Sequence, residues 1–246
     1  QTKAQAAKAP ALAAAGGGSE LGLIPWPKVD FAKFGPIERK ELGRIKKISG
    51  ANLFRNAVMI PAVTNFDDAD ITDWKQKDYT VRLIKAIVAA IEKEPALNGW
   101  YNGKQMGRRL VKECHLGLAM DTEEGLFVPV IENAQQKNDA ALRQEIEDLK
   151  KQVQARTIKP EKLKGYTLTL TNVGKFAGRY TTPVVVPPTV AILGVGKVRD
   201  EVVPVNGDPM VRTLLPLSLS FDHRAVTGGE ATRFLSRVLE ALKKPE

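Results

Sequence analysis

Apolar and polar positions change period several times along this chain, and each change marks an element. Between Lys40 and Met59, Leu42, Ile45, Ile48, Leu53 and Val58 recur at roughly helical spacing, which predicts a helix. "AVTNFDDADIT" (62–72) alternates, carries β-branched residues and reads as a strand. "TVRLIKAIVAAIEKEPALN" (80–98) returns to the helical period and is stopped by Pro95. "CHLGLAMDT" (114–122) and "LFVPVIEN" (126–133) read as two strands around the turn "EEG". "KNDAALRQEIEDLKKQVQAR" (137–156) is amphipathic, with Asn138 or Asp139 as its N-cap. Three strands follow, "YTLTLTNVG" (166–174), "TVAILGVGKV" (189–198) and "VRTLLPLSLSFDHR" (211–224), and a last helix runs from about Gly229 to Leu242. Long strands interleaved with separate helices predict an α/β sandwich around a mixed sheet.

The chain starts differently. "QTKAQAAKAPALAAAGGG" has no apolar period and almost no large side chains, so it cannot offset its own ordering entropy. Residues 1–19 are expected to be a flexible linker, and the chain a C-terminal piece of a longer protein. Residues 20–246 are expected to form one folded domain. It opens with an arm, about 20–40, whose prolines and aromatics suit an extended segment lying on a surface.

Composition narrows the partners. A hydrophobic share of 43% beside 26% charged residues suits a soluble globular chain. No apolar run approaches the ~18 residues of a membrane span, so no membrane association is expected. Cys114 is the single cysteine, which excludes an internal disulfide and a cysteine-based zinc cluster and suits a reducing, cytoplasmic setting. No metal set is apparent in the sequence. The net charge of +9 points either to a solvated basic surface or to an anionic partner. Scattered Lys and Arg, with only 6% aromatics, argue against nucleic acid and leave a phosphorylated small molecule open.

The candidate chemistry sits in two places. His223 is one of only two histidines, flanked by Asp222 and Arg224 where a strand gives way to the last helix. A histidine there serves as a structural hydrogen-bonder or as a general base presented by a rigid scaffold. A base acting on a carbonyl chemistry needs an oxyanion stabiliser. Strand alternation puts Thr167, Thr169 and Thr171 on one face, Leu168 and Leu170 on the other, and leaves Thr171 at the strand's end beside Asn172. His115, inside an alternating strand, reads as structural. "GVGK" (194–197) lacks the first glycine and the Ser/Thr of a phosphate loop.

"LPLSLSFDHRAVTGGEATRF" resembles the C-terminal signature of the dihydrolipoamide acyltransferases, the core components of 2-oxo acid dehydrogenase complexes, whose pattern is D-H-R-x-x-D-G. "IPWPKVDFAKFGPIERKELGRIKKISGANLFRNAVMIPAVTNFDDADIT", "LGLAMDTEEGLFVPVIENA", "TLTLTNVG" and "PPTVAILGVGK" are similar to further blocks of the family, in family order, most closely in acetyltransferases of pyruvate dehydrogenase complexes. The resemblance implies a chloramphenicol acetyltransferase-like sandwich and transfer of an acyl group, acetyl first, between dihydrolipoamide and coenzyme A. It implies His223 as general base and Thr171 as oxyanion stabiliser, contributed by neighbouring subunits of a homotrimer. Asp222, Arg224, Thr227, Gly228 and Asn172 would support them, and Asn98 would contact substrate. Implied partners are a lipoyl domain, whose lipoyl group is carried outside this chain, and the 2-oxo acid dehydrogenase and dihydrolipoamide dehydrogenase components. The basic surplus would serve the phosphates of coenzyme A.

The chain departs from the family at several points. Thr227 replaces the aspartate of the signature, Ala62 the histidine of "IPHVT", and "NGW" (98–100) an "NSS"-like loop. Between "DITD" (70–73) and Tyr79 relatives carry roughly twenty more residues. The end, "LEALKKPE", replaces a hydrophobic tail, so assembly is expected to stop at the trimer. These departures keep two alternatives open: a non-catalytic core component of the same fold, and a free-standing acetyltransferase acting on a small alcohol or amine.

Overall fold

The computed structural model describes residues 27–75, 78–123 and 125–243. The linker, the start of the arm and the tail at 244–246 lie outside the described residues. The described residues divide into two units, one up to Glu41 and one from Leu42 onward. In the first, the expected extended arm contains one turn of 3-10 helix, Phe31–Phe34, capped by the Asp30 carboxylate, which accepts from the Ala32 N–H at 3.2 Å.

The second unit opens with α1 (Arg44–Met59) and β1 (Ala62–Asp70). α2 (Tyr79–Lys93) follows, then the hairpin β2 (Gly99–Asn102) and β3 (Gly107–Leu110). The two strands expected between 114 and 133 are each broken in two: β4 (Leu116–Leu118), β5 (Met120–Thr122), β6 (Gly125–Phe127) and β7 (Val130–Ile131). Next come α3 (Asp139–Gln154), β8 (Leu168–Asn172) and β9 (Ala191–Val195). The chain continues through β10 (Arg199–Val205), β11 (Asp208–Asp222) and α4 (Gly228–Leu242). Asn138 is the N-cap of α3, its Oδ1 accepting from the Ala141 N–H at 2.9 Å.

One mixed sheet dominates, in the order β1-β11-β9-β8-β4-β7. β8 runs parallel to β4 and β9, and the other pairings are antiparallel. β11 is long because it serves two sets of neighbours. Its first half pairs with β10 across the two-residue turn Asn206-Gly207, both at positive φ (52° and 96°), as a twisted hairpin turn requires. Its second half lies between β1 and β9.

Side-chain alternation on β11 decides what each face of the sheet does. Leu215, Leu217, Leu219 and Phe221 join Ile84 and Ile87 of α2 and Phe234 and Val238 of α4 in one core. Ser218, Ser220 and Asp222 face the opposite way and are also buried. Their polar atoms are matched: the Ser220 and Thr64 hydroxyls meet at 2.6 Å, and Ser218 Oγ accepts from the Thr181 N–H at 3.1 Å. The segment around 178–185 closes on this face so tightly that a Cβ at Gly194 would stand 2.7 Å from Thr181 Cγ2. Asp68 anchors that segment. Burial pushes its pKa up, but hydrogen bonds from Arg199, Tyr180 and Arg179 outweigh that and hold it below the ordinary value.

α1 stands apart from this packing. Its only buried residue is Asn56, and the expected apolar stripe remains in solvent, with Ile48 at 55% exposure and Leu53 at 42%.

Candidate active site

β11 carries the chain to Asp222, and the next residue leaves the sheet. There the backbone is held on both sides: the Asp222 N–H donates to the Val190 carbonyl at 2.9 Å and the His223 N–H to the Pro61 carbonyl at 3.1 Å. The Asp222 carbonyl then accepts from Ala225 and Val226, turning the chain toward α4. Asp222 is 2% exposed, and Arg224 neutralises it through Nε–Oδ1 at 2.9 Å and Nη2–Oδ2 at 2.7 Å. That pairing raises the Arg224 pKa above its usual value. Arg224 also lies 5.0 Å above the Tyr101 ring, a cation–π distance.

His223 itself is exposed. Its ring leans on Phe221 at 5.6 Å between centroids, and neither ring nitrogen has a hydrogen-bond partner among the described residues. A fixed backbone with an open imidazole can exchange a proton with a ligand.

Thr171 is half-buried near the end of β8, on the sheet face opposite the core that holds Leu168 and Leu170. Asn172 Oδ1 accepts from the Gly174 N–H at 2.9 Å and turns the chain away. The tightness of this turn depends on glycine: a Cβ at Gly174 would fall 2.3 Å from the Gly196 backbone.

Within one chain these two groups do not meet. Thr171 pairs with Gly194 and Gly194 with Ser218, five residues before His223. Strand rise and interstrand spacing put the two backbones about 19 Å apart.

The supporting residues sort differently from expectation. Thr227 is the N-cap of α4 in a full capping box: its Oγ1 accepts from the Glu230 N–H at 3.2 Å, and Glu230 Oε2 accepts from the Thr227 N–H at 2.8 Å. Gly228 opens the helix, and a Cβ there would meet nothing within 4 Å. Asn98 is wholly buried within the chain. Its Nδ2 donates to the carbonyls of Val111 (2.7 Å) and Glu113 (3.0 Å), and its Oδ1 accepts from the Thr167 hydroxyl at 2.5 Å. It ties the β2–β3 hairpin to the start of β8. His115 is structural, its Nδ1 accepting from the Asn133 N–H at 3.2 Å. Cys114 is buried, with its thiol pushed up to about 12 by burial, so it is not a thiolate nucleophile.

Pattern reading missed Pro61, Tyr101 and Arg108. Arg108 donates to the Ala225 carbonyl and to Glu230, both at 2.9 Å, and joins β3 to the loop after His223. Together with bonds from Thr227, it holds the Glu230 pKa down at about 2. The Asn102-Gly103 dipeptide was the available signal for that hairpin. Among the described residues no group of His, Cys, Asp and Glu stands where it could hold a metal ion, and no helix is long and apolar enough to cross a membrane.

Residues 34–246 match the family described as 2-oxoacid dehydrogenases acyltransferase (catalytic domain). The chain belongs to this acyltransferase catalytic-domain family. It is 43% identical over 233 residues to the dihydrolipoyllysine-residue acetyltransferase component of the pyruvate dehydrogenase complex of Cupriavidus necator, covering 89% of this chain and 42% of the relative. It is 41% identical over 236 residues to the same component of Haemophilus influenzae, with coverage of 89% and 42%. The chain thus spans less than half the length of these curated relatives. Among solved structures it is similar to Azotobacter vinelandii dihydrolipoamide acetyltransferase, studied for the role of a serine, a histidine and an asparagine in its catalytic mechanism: TM-score 0.83, 33% identity, 89% of this chain and 97% of the other. In that enzyme the serine lies 52 positions before the histidine and the asparagine four after it. The cubic core of the pyruvate dehydrogenase multienzyme complex matches with the same scores and coverage. Chloramphenicol acetyltransferase shares the fold, at TM-score 0.50 and 14% identity over 78% of this chain and 94% of that one.

Proposed function

We propose that this chain transfers an acetyl group between a dihydrolipoamide thiol and coenzyme A, as the core of a pyruvate dehydrogenase complex, with His223 as general base. The observation that carries the reading is the state of His223: open, hydrogen-bond-free and on a pinned backbone, in a chain whose family performs acyl transfer. Spacing supports the assignment. Thr171 stands 52 positions before His223 and Thr227 four after, as the serine and asparagine do in the Azotobacter enzyme.

In this mechanism His223 accepts the proton of the attacking thiol and returns it to the leaving one. Thr171 donates its hydroxyl proton in a hydrogen bond to the thioester oxygen as negative charge builds there. The Asp222–Arg224 pair fixes the loop on which His223 stands. Thr227, engaged in the capping box, acts on the start of α4 rather than on substrate.

The separation of about 19 Å between His223 and Thr171 supports a site completed between subunits of a homotrimer, as does the apolar face that α1 presents to solvent. The lipoyl group would arrive on a domain outside this chain, with the dehydrogenase components of the complex as partners in the cytoplasm.

A steady-state assay of acetyl transfer from acetyl-CoA to dihydrolipoamide tests the reading, with a small alcohol and a small amine as control acceptors. Turnover with dihydrolipoamide that falls at least a hundredfold in His223→Ala is expected. Activity on the alcohol or amine alone, or a His223→Ala loss below about threefold, would overturn it.

A further inference from the structure

Residues 174–185 form a strap over the sheet face that carries Thr171 and Ser218. The strap leaves β8 at the Gly174 turn; its backbone then passes β9 and β11, and its side chains reach β1. Just past β9, a Cβ on Gly196 would strike the Arg179 carbonyl, and the Lys197 N–H donates to the Gly178 carbonyl at 2.8 Å. At β11 the Thr181 N–H donates to Ser218 Oγ at 3.1 Å. At β1 the Asp68 carboxylate receives the strap, its Oδ2 accepting from the Tyr180 hydroxyl at 2.9 Å and from Arg179 Nη2 at 3.2 Å.

Apolar packing does not hold the first half of the strap, because residues 175–180 are all exposed. Polar links hold it, and Asp68 is their hub. Arg199 grips both Asp68 oxygens, at 3.2 and 2.8 Å, and Glu201 pairs with Arg199 at 2.7 Å and with Arg179 at 3.3 Å. The Tyr180 ring leans on Phe66 of β1 at 5.3 Å between centroids. Partly exposed ion pairs add little to global stability, so the consequence of this cluster is local: it sets where the strap lies. That position matters at Gly194. Thr181 drops into the space that glycine leaves there, and Gly194 is the neighbour of Thr171 on the adjoining strand, about 4.8 Å away. The strap therefore walls the sheet face immediately beside the Thr171 side chain.

We propose that Asp68, acting through Arg179 and Tyr180, is a positioning residue for the Thr171 hydroxyl. The ion cluster holds the strap down on Gly194, and Thr181, crowding one side of Thr171, restricts its χ1 so that the hydroxyl keeps one direction. The proposal rests on the preceding reading that Thr171 donates to the thioester oxygen. A donor used only as charge builds must be aimed before the reaction, and small errors of aim are costly. Loosening the strap therefore acts on kcat rather than on KM.

The test is a double-mutant cycle on the whole chain in its assembled state, read by acetyl transfer from acetyl-CoA to dihydrolipoamide. Asp68→Asn keeps the size of the side chain and an acceptor oxygen but loses the charge; its kcat is expected to fall about tenfold, with KM for both substrates unchanged. Tyr180→Phe removes one hydrogen bond from an exposed ring, so it decides the matter even where Asp68→Asn lowers the Tm; its kcat is expected to fall about threefold. In a Thr171→Val background neither substitution should lower kcat further, because the group they aim is gone. An equal fold loss in both backgrounds overturns the proposal, as does a loss confined to KM. Amide hydrogen exchange over residues 175–185 reads the strap without turnover: about tenfold faster exchange in Asp68→Asn, with β8 and β9 unchanged, is expected, and unchanged exchange overturns the proposal. If the strap loosens but Thr171→Val alone keeps wild-type turnover, the grip of Asp68 on the strap stands and the oxyanion reading of Thr171 fails.

Discussion

Asp222 and Arg224 grip each other across His223, with Nε–Oδ1 at 2.9 Å and Nη2–Oδ2 at 2.7 Å, so the histidine is the middle residue of a closed salt-bridged loop. The carboxylate is buried and the guanidinium partly exposed. Removing the arginine strands a charge. Arg224→Met is therefore expected to cost about 3–5 kcal/mol, seen as a lower midpoint in urea denaturation. Adding Asp222→Asn to that variant removes the stranded charge and should recover part of the loss. A midpoint unmoved by Arg224→Met would show that the loop is held by its backbone bonds alone.

Complementation tests the division of the site between chains. His223→Ala should lose ~10²–10⁴ in turnover and Thr171→Val ~10²–10³, each with a nearly unchanged Tm, while Thr171→Ser keeps most activity. Co-refolding equal amounts of the two inactive variants should restore about a quarter of wild-type turnover, because random mixing into closed trimers leaves that fraction of interfaces with both groups intact. A site built within one chain would recover nothing.

Asn98 offers a contrast between support and contact. Asn98→Ala removes three buried hydrogen bonds and orphans the carbonyls of Val111 and Glu113. The expected result is a loss of about 2–4 kcal/mol in denaturation, with turnover per folded site little changed. A selective rise in KM with unaltered stability would return Asn98 to the substrate.

The acid limb of stability should carry the mark of Glu230. Its folded pKa, about 2, lies below the ordinary value of 4.5, so the charged form is favoured by folding. The stabilisation is complete above about pH 4.5 and is lost as the pH falls toward 2. Glu230→Gln keeps a capping acceptor but loses the charge facing Arg108. With allowance for its partial exposure, the variant should be less stable by about 1–2 kcal/mol at neutral pH and should converge with the wild type below pH 3. A constant gap across that range would assign the effect to the cap rather than to the ion pair.

How much of this was legible in the sequence depended on whether the signal was local. Asn138 as a cap, the stop at Pro95 and the two-faced pattern of β8 are short-range facts, and they appear as read. β10 was missed although Asn206-Gly207 announces its turn, because its partner is the first half of a strand read as starting only at Val211. Nothing in "LNGW" shows that three groups from distant segments converge on the Asn98 amide. α1 was recognised as a helix, but its period does not tell that the apolar side faces solvent in the single chain. The distance between Thr171 and His223 follows only from strand order, which no linear pattern contains.

β11 carries a further consequence for how this protein tolerates change. Its apolar residues face the helices and its serines and Asp222 the opposite side, strictly by parity. Deleting one residue between Leu214 and Phe221 would swap the two faces across the break, setting hydroxyls against the helix layer, and would also displace the histidine by a strand step. Substitutions of similar size along this stretch alter packing, but insertions and deletions destroy addressing. Length variation in descendants of this chain should therefore collect at the Asn206-Gly207 turn, outside the counted stretch, where an added residue leaves the parity of the second half of β11 untouched.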